Sequence, residues 1–408
     1  MKFSQSFFKL TASLGLLSVL LFNQSCTRPT DPDPDPQGTL TISTCNGSSL
    51  PLTWEDRGVE VDYVIKCEVR ITGSNQLVIK PGVKVQFDGP DAGLIITDQA
   101  SVVAEGTSSQ PIILEGKNPT KGSWYAVIVE SNNVANKLKY VTIRHAGSKK
   151  EDIWTDEKAG LILGQYNPGK VTLENCTFEL NDGYGVYAAS QESQLVNFST
   201  NVFRQNTEYP IEVFFSQLGK LDAASQYGSG NGKNYVQVNK ETNYSTDLSA
   251  AVTVRKLDVP YRLFGESNLT QGVTIEPGVT MEFNTDASLK IDEASGYLSA
   301  TGTSANKITF KGANAGVGAW KGIYVDNPNT NNHLEHCILD GGGSEEDIWL
   351  SVKSNLYMGQ YSRGKMDFVN SASNNSGGYG IAKYNDTQGE ILNNTYSGNT
   401  LGNVYTKP

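Results

Sequence analysis

The sequence predicts an all-β protein built as a solenoid, a parallel β-helix made from two tandem duplicated units. Three observations predict it: a composition poor in helix formers, short apolar runs punctuated by turn residues, and an internal repeat that holds its register across most of the chain. Of 408 residues only 19% are charged, while Gly contributes 41 and Tyr 19, a balance that favours strands and turns over long amphipathic helices. There are 33 Lys and Arg against 43 Asp and Glu, for a net charge of −10. No basic stripe is present to neutralise phosphates, which argues against nucleic acid as a partner.

The first element is an address. Lys2 and Lys9 frame the start, Leu10 to Phe22 is apolar, and Asn23-Gln24-Ser25-Cys26 follows. A charged start, a short apolar core and a small residue before the cut describe a signal peptide over residues 1–25, with an apolar run too short to span a bilayer comfortably. A plain secreted protein with an incidental Cys26 is the simpler alternative. Residues 26–37 hold Asp-Pro-Asp-Pro-Asp-Pro at 31–36, which stays extended because Pro fixes φ and like charges repel. They form a linker that lifts the body away from whatever holds the amino terminus.

The body is one unit written twice, residues 38–229 and 230–408, probed by aligning the chain on itself. Ile79-Lys80-Pro81-Gly82-Val83-Lys84-Val85-Gln86-Phe87 returns as Ile275-Glu276-Pro277-Gly278-Val279-Thr280-Met281-Glu282-Phe283, and Trp124 returns as Trp320. Glu151-Asp152-Ile153-Trp154 returns as Glu346-Asp347-Ile348-Trp349, Gly164-Gln165-Tyr166 as Gly359-Gln360-Tyr361, and Tyr184-Gly185 as Tyr379-Gly380. Inside each unit, strands of three to five residues are separated by Gly, Asn and Pro turns, with equivalent strands 20–25 residues apart, the length of one solenoid coil. Three short strands per coil would stack into three parallel sheets, with alternate residues filling the core and Asn at the bends laddering from coil to coil. A pair of β-sandwiches is the competing fold, but it needs two-residue Asn-Gly or Asp-Gly hairpin loops that are sparse here.

Strand-Pro-Gly-Val, then Gly-Thr, Gly-x-Trp and Asn-x-Gly-Tyr-Gly resemble the right-handed parallel β-helix lipoproteins of Gram-negative bacteria, within the pectin-lyase-like group. The resemblance covers nearly all of residues 40–408. It implies lipidation of Cys26, although Asn23 stands where that family usually has Leu, and therefore an anchor in the outer membrane, on its periplasmic or cell-surface side. It also implies a catalytic option, a polysaccharide lyase or glycoside hydrolase, in which acidic residues, with calcium where a cation is needed, work beside an Arg or Lys base. The weak candidates for such a set are Arg144, Asp152, Asp156 and Glu157. A catalytic role is the less favoured reading, and no cofactor is otherwise called for.

The remaining chemistry is sparse. Of five Cys, Cys45 and Cys67 bracket the start of the body and are placed to close a disulfide in an oxidising compartment, while Cys176 and Cys337 lie in apolar strand patterns as buried thiols. Three His, at 145, 333 and 336, make no metal set, and no metal site is expected. The repeated aromatics carry more. Trp124 and Trp320 read as packing residues, whereas Trp154 and Trp349 with Tyr166 and Tyr361, beside Asp152 and Asp347, read as a ligand-binding platform on which a sugar ring can stack. The leading expectation is a non-catalytic surface binding or adhesion protein with a polysaccharide or surface glycan as partner. A structural or protein-docking role is the third reading, and oligomeric state is left open.

Overall fold

Alternation of apolar and polar residues along short strands leaves each strand one face to bury and two rows of backbone groups to satisfy. The chain answers both needs by coiling. The computed structural model describes residues 38–45, 50–150, 157–164, 166–239, 248–359 and 364–408. The signal peptide, the linker, Cys26, Asp152, Trp154, Asp156 and Tyr361 lie outside the described residues. Residues 38–408 form one compact unit, and every strand pairing within its sheets is parallel. The sequence expectation of a parallel β-helix is met.

Three sheets run along the first half of the body: an eight-stranded sheet from Leu40–Ile42 to Gln226–Ser229, a six-stranded sheet from Thr53–Trp54 to Gln194–Ser199, and a long sheet that begins at Glu68–Ile71. The long sheet has 13 strands and continues to Thr395–Ser397, joined in the second half by two further six-stranded sheets. Coil length varies more than the sequence spacing indicates. Thr177 sits against Val202, one coil of 25 residues on, but Leu94 sits against Val127 and Val127 against Leu161, 33 and 34 residues on. Loops inserted at the bends make up the difference.

Inward residues stack. In the eight-stranded sheet Tyr63, Val85, Leu114, Ile143, Phe178 and Phe203 lie in one register, and all six are buried. The outward residues of the same strands form a second ladder of Gln86, Glu115, Arg144, Glu179 and Arg204. Trp124 and Trp320 are fully buried. Trp124 stacks on Phe87 at 4.0 Å and donates to Arg144 O at 2.8 Å; Trp320 stacks on Phe283 at 4.1 Å and donates to Asp340 O at 2.9 Å. Both tryptophans are packing residues, as their sequence context indicates.

The two halves use the long sheet differently. Lys84–Phe87 belongs to the eight-stranded sheet, yet Thr280–Phe283, which carries the repeated motif, belongs to the long sheet. The change occurs where the eight-stranded sheet stops. Its last strand donates the backbone N–H groups of Tyr227 and Gly228 to the Asp258 carboxylate instead of to another strand, and the next strand, Tyr261–Leu263, pairs with Val236–Asn239 in the long sheet. Residues with the same place in the repeat therefore face different directions in the two halves.

Bends are held by buried amides. Asn181 Nδ2 donates to Asn206 Oδ1 at 3.0 Å and Asn206 Nδ2 to Asn231 Oδ1 at 2.9 Å, while each Oδ1 also accepts a backbone N–H. Cys45 and Cys67 form the disulfide, and Cys176 and Cys337 are free and buried. Burial pushes the Cys176 thiol up to about 12 and the Cys337 thiol further, which keeps both protonated and inert. Replacing Asn206 by Ala orphans the Phe178 carbonyl and the Asn181 amide inside the core. A loss of roughly 2–4 kcal/mol is expected from two unsatisfied buried groups, measured by urea unfolding against the parent.

Candidate functional site

The outward register of the long sheet divides the body into two chemical halves. From the amino-terminal end it reads Arg70, Ile95, Ile128, Ile162, Tyr187, Glu212, Gln237, Arg262, Glu282, Lys311, Asp340 and Asn374. Apolar residues give way to polar ones at Glu212. Two features of this row have the makings of a site.

The first is a pit of about 230 Å³ lined by Glu68, Arg70, Ile95, Tyr125, Ile128, Glu130 and Tyr166. Its floor is Ile95 and Ile128, both buried. Gly93 lets Tyr125 lie close to the strand, since a Cβ there would sit 3.3 Å from the Tyr125 Cβ. The Lys149 ammonium stands 4.6 Å from the centre of the Tyr125 ring and pairs with Asp91 at 2.7 Å. Glu130 is 7% exposed, and its Oε1 accepts the Tyr166 backbone N–H at 3.2 Å. This bond holds the start of the Tyr166 loop against the sheet, while the Tyr166 side chain stands out in solvent at 73% exposure. Arg70 donates to Glu68 at 2.6 Å across the mouth. A flat exposed phenol, a carboxylate and a guanidinium around an apolar floor match the two chemistries of a sugar ring, its C–H face and its hydroxyl edge.

The second feature is an acidic centre. Glu212 lies on the strand Ile211–Phe214 at 1% exposure. Gln237 Nε2 donates to its Oε2 at 2.6 Å and Asn239 Nδ2 to its Oε1 at 2.7 Å. Burial, with a smaller contribution from the charge on Glu157, pushes the Glu212 carboxyl up to about 8, against the opposing hydrogen bonds from Tyr184 and Asn239. Around it Tyr184 stacks on Tyr209 at 4.9 Å, and Arg262 lies 3.8 Å from the centre of the Tyr235 ring.

These placements redistribute the residues expected from sequence. Tyr166 lines the pit. The charge on Glu157 reaches Glu212 and helps to raise that carboxyl, whereas Arg144 is held elsewhere. Arg144 lies on a strand of the eight-stranded sheet, 2.6 Å from Glu115 and 3.4 Å from Glu179, inside the outward ion-pair ladder. An Arg held between two carboxylates is a structural cation, and Asp152 and Asp156, expected beside it, lie outside the described residues. Asp347 is likewise engaged within the fold. It is 4% exposed, and its Oδ1 accepts the backbone N–H groups of Trp349 and Leu350 at 3.0 and 2.6 Å, so it builds the turn that carries the aromatic instead of meeting a ligand. That turn leaves Trp349 at 41% and Ile348 at 77% exposure, over a cluster of Leu350, Tyr324 and Tyr357.

Sequence reasoning passed over Glu130, Tyr125 and Glu212. The signal that marks Glu212 is a lone acid in an otherwise apolar Ile-Glu-Val-Phe-Phe run. Residues 52–152 match the family described as a pectate-lyase like beta helix domain. No curated protein and no solved structure matches the chain. With the parallel sheets, this match over residues 52–152 supports a right-handed parallel β-helix for the body.

The raised Glu212 carboxyl has a sign. Its folded value lies above the ordinary 4.5, so the native state favours the protonated form. That contribution is complete below about 4.5 and is lost as pH rises through about 8. Glu212→Gln removes the buried charge at nearly constant shape; its carbonyl keeps one amide contact and its NH2 needs Gln237 to turn so that the Gln237 Oε1 accepts. Its melting temperature is expected to equal the parent's at pH 4 and to exceed it at pH 9, by roughly 2–4 °C per kcal/mol relieved.

Proposed function

We propose that the protein is an exported, lipid-anchored β-helix that binds polysaccharide at the outer membrane without turning it over. The observation that carries this reading is the pit under Tyr166, in which an exposed aromatic ring stands beside Glu130, Glu68 and Arg70 over an apolar floor. The anchor rests on the amino-terminal sequence, where Cys26 follows a signal-like run and precedes an Asp-Pro linker. Attachment through lipid places the body at a membrane surface without a spanning segment, on the periplasmic or the cell-surface side. Calcium is not part of the proposal.

One observation favours the enzymatic alternative, a polysaccharide lyase or hydrolase. Burial and the charge on Glu157 push the Glu212 carboxyl up, and a carboxyl held protonated near neutral pH is the starting point for an acid role in glycan-cleaving sites. Glu212 is closed to solvent, however, and Arg144, the cation expected to work with Glu157, is engaged in another sheet. Binding is therefore preferred to turnover.

Affinity electrophoresis of the purified protein in gels cast with neutral and acidic polysaccharides separates the readings. Retardation by at least one polymer is expected, and Tyr166→Ala is expected to weaken it by roughly tenfold, about the 1–3 kcal/mol carried by a stacked ring. Retardation unchanged by Tyr166→Ala would remove the pit from the proposal, and a cleared zone around the band would replace binding by turnover.

A further inference from the structure

A second, larger groove takes no part in that reading. It has a volume of about 1000 Å³ and opens where the six-stranded sheet of the first half ends at Gln194–Ser199 and its counterpart in the second half begins at Val252–Val254. In place of a strand, the 3-10 helix Phe215–Lys220 fills the level between them. Side chains there replace ladder bonds. Gln217 Oε1 accepts the Leu195 backbone N–H at 3.0 Å, Lys220 Nζ reaches Val196 O at 3.5 Å, and Arg255 Nη1 donates to Gly219 O.

We propose that this groove is a second binding site whose ligand is an anionic carbohydrate, a hydroxyl-rich chain bearing carboxylate or sulfate groups. The charge pattern supplies the first argument. Lys170, Lys220 and Arg255 line the groove, and Glu192 is its one acid. Elsewhere in the body cations are held by carboxylates, among them Lys84, Lys117, Lys137, Arg144, Lys158 and Arg262. The three groove cations have no carboxylate within ion-pair distance among the described residues. On a chain of net charge −10, a local excess of two positive charges that no described acid neutralises is a place for an external anion.

Spacing supplies the second argument. Lys170 opens the strand Lys170–Glu174, Lys220 ends the 3-10 helix two levels on, and Arg255 follows the strand one level further. At about 4.8 Å per level the three charges are spread over roughly 15 Å along the axis of the solenoid. A linear polymer meets such a row better than a single small anion does. The third argument separates a carbohydrate from other polyanions. Gln191 lines the groove, and its Oε1 is buried without a hydrogen-bond donor. A buried acceptor needs a donor, which a hydroxyl supplies and a bare phosphate chain does not. Ser216, Ser249 and Thr253 add further hydroxyl partners. The site is independent of the Tyr166 pit.

The test uses the purified protein with four probes: dextran, carboxymethyl dextran, dextran sulfate and inorganic polyphosphate. At least one anionic dextran is expected to bind roughly tenfold more tightly than dextran itself, a difference that fades as salt screens the groove. The preferred one identifies the charged group. Lys170→Gln with Lys220→Gln, which leaves the Arg255 contact in place, is expected to lose most of that tenfold, while Lys117→Gln, a cation paired with Asp88 outside both sites, leaves it unchanged. Equal binding of dextran and both anionic dextrans, or an unaltered double variant, would overturn the proposal. Polyphosphate binding as tightly as the anionic dextrans would overturn the carbohydrate assignment. If Tyr166→Ala abolished anionic-dextran binding while the double variant retained it, the groove would be wrong and the pit right.

Discussion

The rest of the structure depends on the parallel backbone ladder between successive coils. A parallel strand cannot pair with its sequence neighbour across a tight turn; it must wait for the chain to travel round and return. That single constraint makes the body a solenoid, sets each residue beside another about a coil away, and turns every inward position into a stack. Leu114 meets Val85 and Ile143, not its own sequence neighbours. Each fully buried side chain of this kind is worth about 1.5–3 kcal/mol. The ladder also decides where polar groups are tolerated inside. Asn181, Asn206 and Asn231 are buried because each amide meets the same amide one coil on, so donors and acceptors are satisfied in series.

The fold was legible because the ladder leaves a trace in sequence. Alternating residues, Gly and Asn at bends, and Pro-Gly before the strands Lys84–Phe87 and Thr280–Phe283 are local features that the chain repeats at a long period. Trp124 and Trp320 were assignable to packing for the same reason. The candidate sites were much less visible. Glu130 and Tyr166 are 36 residues apart and meet because loops of different length are inserted between strands of fixed register. Register follows from pattern, but successive strands of one coil belong to different sheets, so Arg144 lies in the eight-stranded sheet while Glu157, 13 residues on, leads into Ala159–Leu163 of the long sheet.

The repeated motifs illustrate the limit from the other side. Glu-Asp-Ile-Trp stands out in sequence as acid beside aromatic, and a ligand platform is the natural chemical reading. In the described copy Asp347 is spent on the turn, while Glu346, Ile348 and Trp349 reach solvent. Repetition marks what a recurring loop needs in order to fold as readily as what it needs in order to bind. Sequence cannot separate the two, because an Asp that caps a turn and an Asp that meets a hydroxyl are the same letter in the same context.

A solenoid with an uninterrupted register offers only flat ladders, and flat ladders bind little. Relief on this molecule comes from departures from regularity. The pit lies where Tyr166 is carried out of the coil and tied back by Glu130. The larger groove lies where a 3-10 helix takes the place of a strand and leaves Leu195 and Val196 to find side-chain partners. At Glu212 the outward row changes from isoleucine and tyrosine to amides and ions, close to the level at which the eight-stranded sheet ends and Tyr261–Leu263 joins the long sheet. A change of sheet, a change of outward chemistry and a break in the ladder thus fall in one short stretch of the axis. The regular coils supply rigidity, and the junction supplies the concave surface, the unpaired cations and the unsatisfied acceptor that a ligand requires.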